Sequence, residues 1–236
     1  MPEALVITPV KDSIETTLST IQAINASHGV FTYEIYNDFS TPENTKILQE
    51  NQQHYNYRLI NLQDITSTPS PNYRLVLKLA QQKALEMDVP LIIVESDVDV
   101  KEDTLHDLVH YSKQLAKCGM VAAITTDTEG NINFPYLNFR NEKKKIVDTK
   151  HSLSFCCTLL TTELLCQYDF AELSGEKHWY DVYISRKSVQ LGLHNYLITE
   201  PGVIHKPHSS RPWKQLKYTN PLKYYFQKFT KRLDRI

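Results

Sequence analysis

The chain has 236 residues, 41% of them hydrophobic, and a formal net charge of -1. That length and apolar content suit one large α/β domain, and the near-zero charge gives no general pull toward nucleic acid. No stretch approaches the roughly 20 apolar residues of a membrane span, and an acidic Glu3 stands ahead of a short, broken apolar N-terminal run. Cys118, Cys156, Cys157 and Cys166 form neither a CxxC pair nor a disulfide framework. They read as buried free thiols of a reducing compartment, so the expected location is cytoplasmic, or peripheral at the inner face of the membrane.

In chain order, "ALVITPV" reads as a buried strand and Ser13 to Ala26 as a helix capped by Asp12 or Ser13. "FTYEIYN" is a second strand, Pro42 to Gln52 a helix, and "YRLINL" a third strand followed by the loop "QDITSTPSP". A helix from Asn72 to Met87 leads to the strand "LIIV"; a helix from Thr104 to Lys117 leads to "MVAAITT". Residues 126–150 read as a long polar loop or hairpin, "SLSFCCTLL" as a buried strand and "TTELLCQY" as a short helix. "KHWYDVYISRKSVQLGL" has the pattern of an amphipathic helix ending near Gly192, and "NYLITEPGVIHKPHSS" supplies a short last strand and a loop. Strands alternating with helices imply a single, mostly parallel, doubly wound, Rossmann-like sheet flanked by helices, in which ligands bind beyond the strands' carboxyl ends. The polar stretches "TPVKDS", "NDFSTPEN" and "ESDVDVKED" all begin there.

The six glycines form neither GxGxxG nor GxxxxGK[ST], which argues against a dinucleotide-binding dehydrogenase or a P-loop enzyme. Cations must then manage the charge of any phosphorylated ligand. The stretch "LIIVESDVDV" bears on this, because Glu95, Asp97 and Asp99 recur at every second position after a strand buried on both faces. In extended chain they share one face, and like charges so placed need a Lys or Arg, a metal ion or bulk water among them. Residue types alone leave these three open.

The ordered features resemble the family 2 glycosyltransferases of GT-A fold. "VITPVKDSIETTLSTIQAI" is similar to that family's first strand and helix, and "EIYNDFSTPENTKIL" to its "vDDgStDnT" segment. "IIVESDVDVKEDTLHDLV" resembles the stretch that carries the DxD motif, with Glu95 and Asp97 at the two acids and Asp99 just outside. "WYDVYISRKSVQLG" resembles "EDxdlxxRxxxxG" at Asp181, Arg186 and Gly192, and "VIHKPHSS" resembles the following "vxH". The match runs in order over about residues 4–208. It departs at Glu95 for the first Asp of DxD, at Asn37 and Phe39 for an Asp and a Gly, at Tyr180 for a Glu, and at Lys78 and Ala80 for an Asn and a Gly.

The resemblance implies a metal-dependent inverting transferase that moves a sugar from a nucleotide-diphosphate donor, UDP-linked by family analogy, to a saccharide or lipid-linked acceptor in glycan or surface-polysaccharide synthesis. Its implied cofactor is Mn²⁺ or Mg²⁺, since a hard ion held by carboxylates neutralises a departing diphosphate. Asp97 is then the direct ligand. Glu95 either reaches the metal through water or holds the donor ribose, and His205 supplies a further ligand, with His208 as its competitor. Thr8, Pro9, Asp38, Arg74, Lys78 and Ser96 complete the donor site. Thr8 and Pro9 offer backbone to a nucleobase, Asp38 accepts from a base N–H, and Arg74 or Lys78 reaches phosphate. Asp181 is the candidate base for the acceptor hydroxyl, at a helix start that also favours its charged form. Other readings of these residues are an exposed helix face for Arg74 and Lys78, and a pairing with Lys177 or Arg186 for Asp181.

The implied organisation is a GT-A domain over residues 1–213, with a nucleotide-sugar half (1–125) and an acceptor half (126–213), then a basic amphipathic helix over 214–236. Leu222, Tyr225, Phe226, Phe229 and Leu233 form one apolar stripe after Pro221, beside Lys223, Lys228, Lys231, Arg232 and Arg235. Such a helix lies on an anionic membrane, or packs on the domain or on a second copy in a homodimer. Two other functions compete. A nucleotidyltransferase is also α/β with acidic metal ligands, but "TPVKDS" lacks the glycine-rich basic loop of such enzymes. A non-catalytic sugar- or partner-binding domain would keep the fold without the base.

Overall fold

The computed structural model describes residues 1–174, 179–206, 222, 225 and 226. Its first half alternates β1 (Ala4–Val10), α1 (Ile14–Asn25), β2 (Phe31–Asn37), α2 (Pro42–Asn51), β3 (Arg58–Asn61), α3 (Tyr73–Met87) and β4 (Leu91–Val94). Then come β5 (Val98–Asp99), α4 (Thr104–Gln114), β6 (Cys118–Thr126), β7 (Ile146–Thr149), β8 (Cys157–Leu160), α5 (Thr162–Gln167), α6 (Tyr180–Gln190) and β9 (His194–His205). Among the described residues these strands form one nine-stranded sheet in the order β3-β2-β1-β4-β8-β6-β9-β5, with β7 also on β9.

The strands β3, β2, β1 and β4 are mutually parallel, as expected from their alternation with helices. Both faces of this half are covered, which explains its unbroken apolar runs. Leu5 and Ile7 of β1 and Leu91 and Ile93 of β4 pack toward α3. Ala4, Val6, Ile92 and Val94 pack on the opposite side, with Ile21 and Ile24 of α1 and Leu105 of α4. The buried Glu34 of β2 breaks the apolar pattern; the Tyr36 hydroxyl donates to its Oε2 at 2.8 Å, and the Arg58 guanidinium lies 3.5 Å from Oε1.

The other half departs from all-parallel pairing. β8 is inserted between β4 and β6, antiparallel to both, while β6 and β9 are parallel. The outer edge of β9 carries β7 at its start and β5 at its end, each antiparallel. β9 and β8 differ in length from the sequence expectation, α4 ends at Gln114 rather than Lys117, and Cys166 is exposed where a buried thiol was expected. β9 runs through Pro201 as one long strand, because a register shift between Ala123 and Thr125 lets the chain around Pro201 bulge out of the ladder. β8 covers only the end of "SLSFCCTLL", because preceding backbone donors go to side chains: Leu153 N–H to Ser185 Oγ at 2.9 Å and Ser154 N–H to the Tyr136 hydroxyl at 2.9 Å.

The loops at the carboxyl ends of the parallel strands are tied to one another. The Asp12 carboxylate accepts the Thr41 N–H at 2.9 Å and the Asn44 amide at 3.2 Å, joining the loop after β1 to the start of α2. Burial opposes its charge, but these bonds and the Lys11 ammonium outweigh it and hold the carboxyl below its ordinary value. Asp38 ties the next pair of loops. Its Oδ2 accepts from Ser70 Oγ at 2.7 Å and from the Asn72 N–H at 2.8 Å, and its Oδ1 from the Asn72 amide at 2.8 Å. Phe39, between them, has φ 59°, in the left-handed region that favours glycine.

Of the C-terminal segment, Leu222, Tyr225 and Phe226 are helical and exposed. Phe229, Leu233, the basic residues of the stripe, Lys177 and His208 lie outside the described residues. No described helix is long and apolar enough to cross a membrane.

Two outcomes follow from these ties. Asp38→Ala strips three donors of their acceptor, and urea denaturation is expected to show a loss of about 1.5–3 kcal/mol, the range for hydrogen bonds to a charged group. Unchanged stability would mean that the Asp38 carboxylate does not hold the loops. His28 Nδ1 lies 2.8 Å from Asp103 Oδ1, and that bond and charge raise its pKa above the ordinary 6.5. The pair's contribution is therefore fully present below about pH 6.5 and fades as pH rises through the higher folded value. An NMR titration of the ring is expected to show the raised midpoint, and Asp103→Asn to return it toward 6.5; equal midpoints would refute the coupling.

Candidate functional site

The acidic cluster does not stay on one face. β4 ends at Val94, and the Val98 N–H bonds back to Glu95 O at 3.2 Å, closing a turn where extended chain was expected. The three carboxylates consequently diverge. The Cys156 thiol approaches Glu95 Oε2 at 3.8 Å, and the Glu95 N–H donates to Cys156 O at 3.0 Å. Asp99 lies against α1 and the residue after β9: Ser19 Oγ donates to its Oδ2 at 2.9 Å, and the Lys206 ammonium bonds to the same oxygen. A basic partner thus takes the third acid, one of the alternatives left open by residue types.

Asp97 takes a different direction. It is buried at 5% exposure, and its Oδ2 lies 3.6 Å from Nε2 of His205, itself at 4%. Antiparallel pairing of Val98 with His205 brings the two together, and the Lys206 N–H donates to Asp97 O at 2.8 Å. His205 Nδ1 stands 2.7 Å from Phe134 O. A carbonyl only accepts, so Nδ1 carries a proton there, which leaves Nε2 on the Asp97 side as the nitrogen able to offer a lone pair to a metal ion. At 3.6 Å the two are too far apart for a hydrogen bond. Two lone-pair atoms thus flank a gap that favours a positive charge.

Such a pair fits a hard divalent ion, which takes one or two protein ligands and completes its shell with water and substrate phosphates. The orientation of His205 by a backbone carbonyl is the usual support of a metal-binding imidazole. Among the described residues no three His, Cys, Asp or Glu side chains converge into a complete cage.

Asp181 is the second residue of α6 and half-buried, with its Oδ1 accepting the Val182 N–H at 2.8 Å. The helix dipole favours negative charge there. Gly192, at φ 80°, ends the same helix with the Leu193 N–H on Ser188 O and its own N–H on Val189 O, a Schellman motif. Asp181 lies close enough to Tyr136 to act on its ionisation. Burial first, then Cys156, Asp181 and Cys157, push that buried phenol well above its ordinary value. Cys156, one of the groups that raise Tyr136, also contacts Glu95.

The remaining expected site residues are placed as follows. Pro9 is part-buried in β1, while Thr8 is fully buried within the β1–β2 ladder and its hydroxyl accepts from Tyr33 at 2.9 Å. Ser96 is buried in the turn beside Asp97. The Asp38 carboxylate is occupied by Ser70 and Asn72. Arg74 Nη2 donates to Ala171 O at 2.6 Å, while its buried Nε has no partner. Lys78, one turn further along α3, is exposed. Sequence reasoning missed Tyr136, Cys156, the Phe134 carbonyl and the Ser19–Lys206 pair. No local motif marks them, since their roles come from contacts between distant segments.

No protein-family model matches the chain, and no curated protein matches it in sequence. Solved structures do match its fold. The crystal structure of S. aureus TarS 1–349 does so with a TM-score of 0.66 at 16% identity, over 86% of this chain and 60% of that one. The same protein in complex with UDP-GlcNAc gives 0.67 at 14%, over 88% and 59%. The mannosyltransferase PcManGT from Pyrobaculum calidifontis, in complex with GDP-Man and Mn²⁺, gives 0.64 at 11%, over 97% and 64%. The chain therefore spans about three fifths of the length of each of these structures. The likeness establishes a mixed α/β fold of GT-A type, a mostly parallel sheet flanked by helices.

Proposed function

We propose that the protein is a metal-dependent, inverting glycosyltransferase of the family 2 type. It uses a nucleotide-diphosphate sugar, UDP-linked in the first instance, and a saccharide or lipid-linked acceptor of glycan or surface-polysaccharide synthesis. The observation that carries this reading is the buried Asp97–His205 pair, whose facing oxygen and nitrogen stand 3.6 Å apart beyond the end of β4. The fold supports it, as do the UDP-GlcNAc bound by TarS and the GDP-Man and Mn²⁺ bound by PcManGT.

Asp97 and His205 would hold Mn²⁺ or Mg²⁺, which when bound neutralises charge on the departing diphosphate. Glu95, beside Cys156, is placed to accept from donor ribose or from metal-bound water. The backbone at Thr8 and Pro9 forms the lip for the nucleobase. Ser96 supplies the backbone between the two acids, and Lys78 remains the exposed cation for phosphate. Asp38 and Arg74 act on the donor indirectly, Asp38 by fixing the loops and Arg74 by joining α3 to the chain at Ala171. Asp181 takes the proton of the acceptor hydroxyl at its carboxylate as that oxygen attacks the anomeric carbon from the face opposite the departing nucleoside diphosphate. In this reading residues 1–125 serve the donor and 126–213 the acceptor.

Two substitutions test the assignment, with free nucleotide release from a panel of nucleotide sugars as the assay. Asp97→Asn is expected to remove both the metal requirement and most of the affinity for nucleoside diphosphate. Calorimetry showing equal wild-type binding in EDTA and in Mn²⁺ would refute the metal role. Asp181→Asn is expected to lower turnover by roughly 10²-fold or more with donor affinity nearly unchanged, as loss of a general base does. Near-normal turnover would remove Asp181 from the reaction, and no nucleotide release by the wild type from any donor would favour a binding domain.

A further inference from the structure

We infer that Lys206 is a positioning residue which, with Asp99 and Ser19, sets the separation of Asp97 and His205. This rests on the metal reading above. β5 is only two residues long, and it presents Asp97 to His205 through the pairing of Val98 with His205 and Asp99 with Ile204, with one further backbone bond from the Lys206 N–H to Asp97 O. So short a strand has too few ladder bonds to fix its own position.

Side chains supply the rest. The Lys206 ammonium donates to Asp99 Oδ2 and, at 2.9 Å, to Ser19 Oγ, while Ser19 Oγ–H donates to Asp99 Oδ2 at 2.9 Å. One junction thereby pins α1, β5 and the end of β9 together. It is sheltered, with the Lys206 and Asp99 side chains at 35% and 20% exposure. Thr20 Oγ1 accepts the Val98 N–H at 3.2 Å, a second tie from α1 to the same short strand. The other Asp99 oxygen is buried without a partner, so Asp99 depends wholly on Oδ2 for its compensation. Without the ammonium, a sheltered carboxylate would be left with one hydroxyl, a costly arrangement that β5 relieves by shifting.

Electrostatics and positioning predict opposite signs. Removing a nearby positive charge leaves the site more negative, and Coulomb attraction alone would tighten a divalent cation. Positioning predicts weaker binding, because the two ligands lose their spacing.

The test titrates Mn²⁺ into the full chain and reads the free ion by electron paramagnetic resonance, with thermal melts of each variant alongside. Lys206→Met is expected to bind Mn²⁺ at least about 10-fold more weakly than wild type, the lower range for loss of a residue supporting metal ligands, and Lys206→Arg to restore most of that affinity. Affinity of Lys206→Met equal to or tighter than wild type, whatever its melting temperature, would overturn the inference and leave Lys206 a stabilising residue only. If Lys206→Met does not fold, Ser19→Ala decides: weakened Mn²⁺ binding supports the junction and unchanged binding overturns it. Failure of the wild type to bind Mn²⁺ would instead overturn the metal reading, and this inference with it.

Discussion

The Val98 N–H to Glu95 O bond ends the fourth strand and turns the chain, and the chemistry available beyond the sheet depends on that turn. Had the chain stayed extended, three carboxylates would have crowded one face and repelled one another. Instead Glu95 meets a thiol, Asp97 an imidazole and Asp99 an ammonium. The long last strand makes this separation possible, since its end carries both His205 and Lys206 to the short strand that follows the turn.

Carboxylates around this end of the sheet divide into those that hold loops and those that face open chemistry. Asp12, Asp38 and Asp99 each accept several bonds from neighbouring segments. Their charge is spent on geometry, because a carboxylate satisfied by two or three donors has little left for a ligand. Asp97 is the buried acid of the group that faces an imidazole, that of His205, whose Nδ1 is taken by the Phe134 carbonyl.

Three of the departures from the family 2 pattern, Asn37, Phe39 and Tyr180, bear on how a strand end, a turn and a helix start are built. Asn37 stands where that pattern has an Asp, and its amide donates to Thr45 and Asn61 while its carbonyl accepts the Ser40 N–H. Phe39 stands where it has a glycine and adopts the left-handed conformation a glycine takes without strain. The turn takes this conformation without a glycine, and the Lys11 ammonium bonds to Phe39 O within it. Tyr180, in place of a Glu, stacks on Tyr73, so the start of the sixth helix is seated by aromatic packing.

Much of this architecture was legible in the sequence. The first four strands and the helices between them follow from apolar periodicity, a local property of the chain; the expected cap by Asp12 or Ser13 does not form, since Ser13 makes no side-chain cap bond and Asp12 bonds the start of the second helix. The placement of "TPVKDS", "NDFSTPEN" and "ESDVDVKED" at strand ends followed from alternation, and Asp97 and His205 stood out through ordered motifs. Three things were decided only by tertiary structure: the insertion of "CTLL" antiparallel between two other strands, the run of the last strand through Pro201, and the direction each acid faces. Strand order and side-chain direction depend on hydrogen bonds between residues far apart in the chain. The bonds from Lys206 to Ser19, from His205 to Phe134 and from Leu153 to Ser185 leave no pattern in either partner's neighbourhood. Residue type and spacing determine which groups can ionise, bond or bind a metal; the fold decides which of them meet.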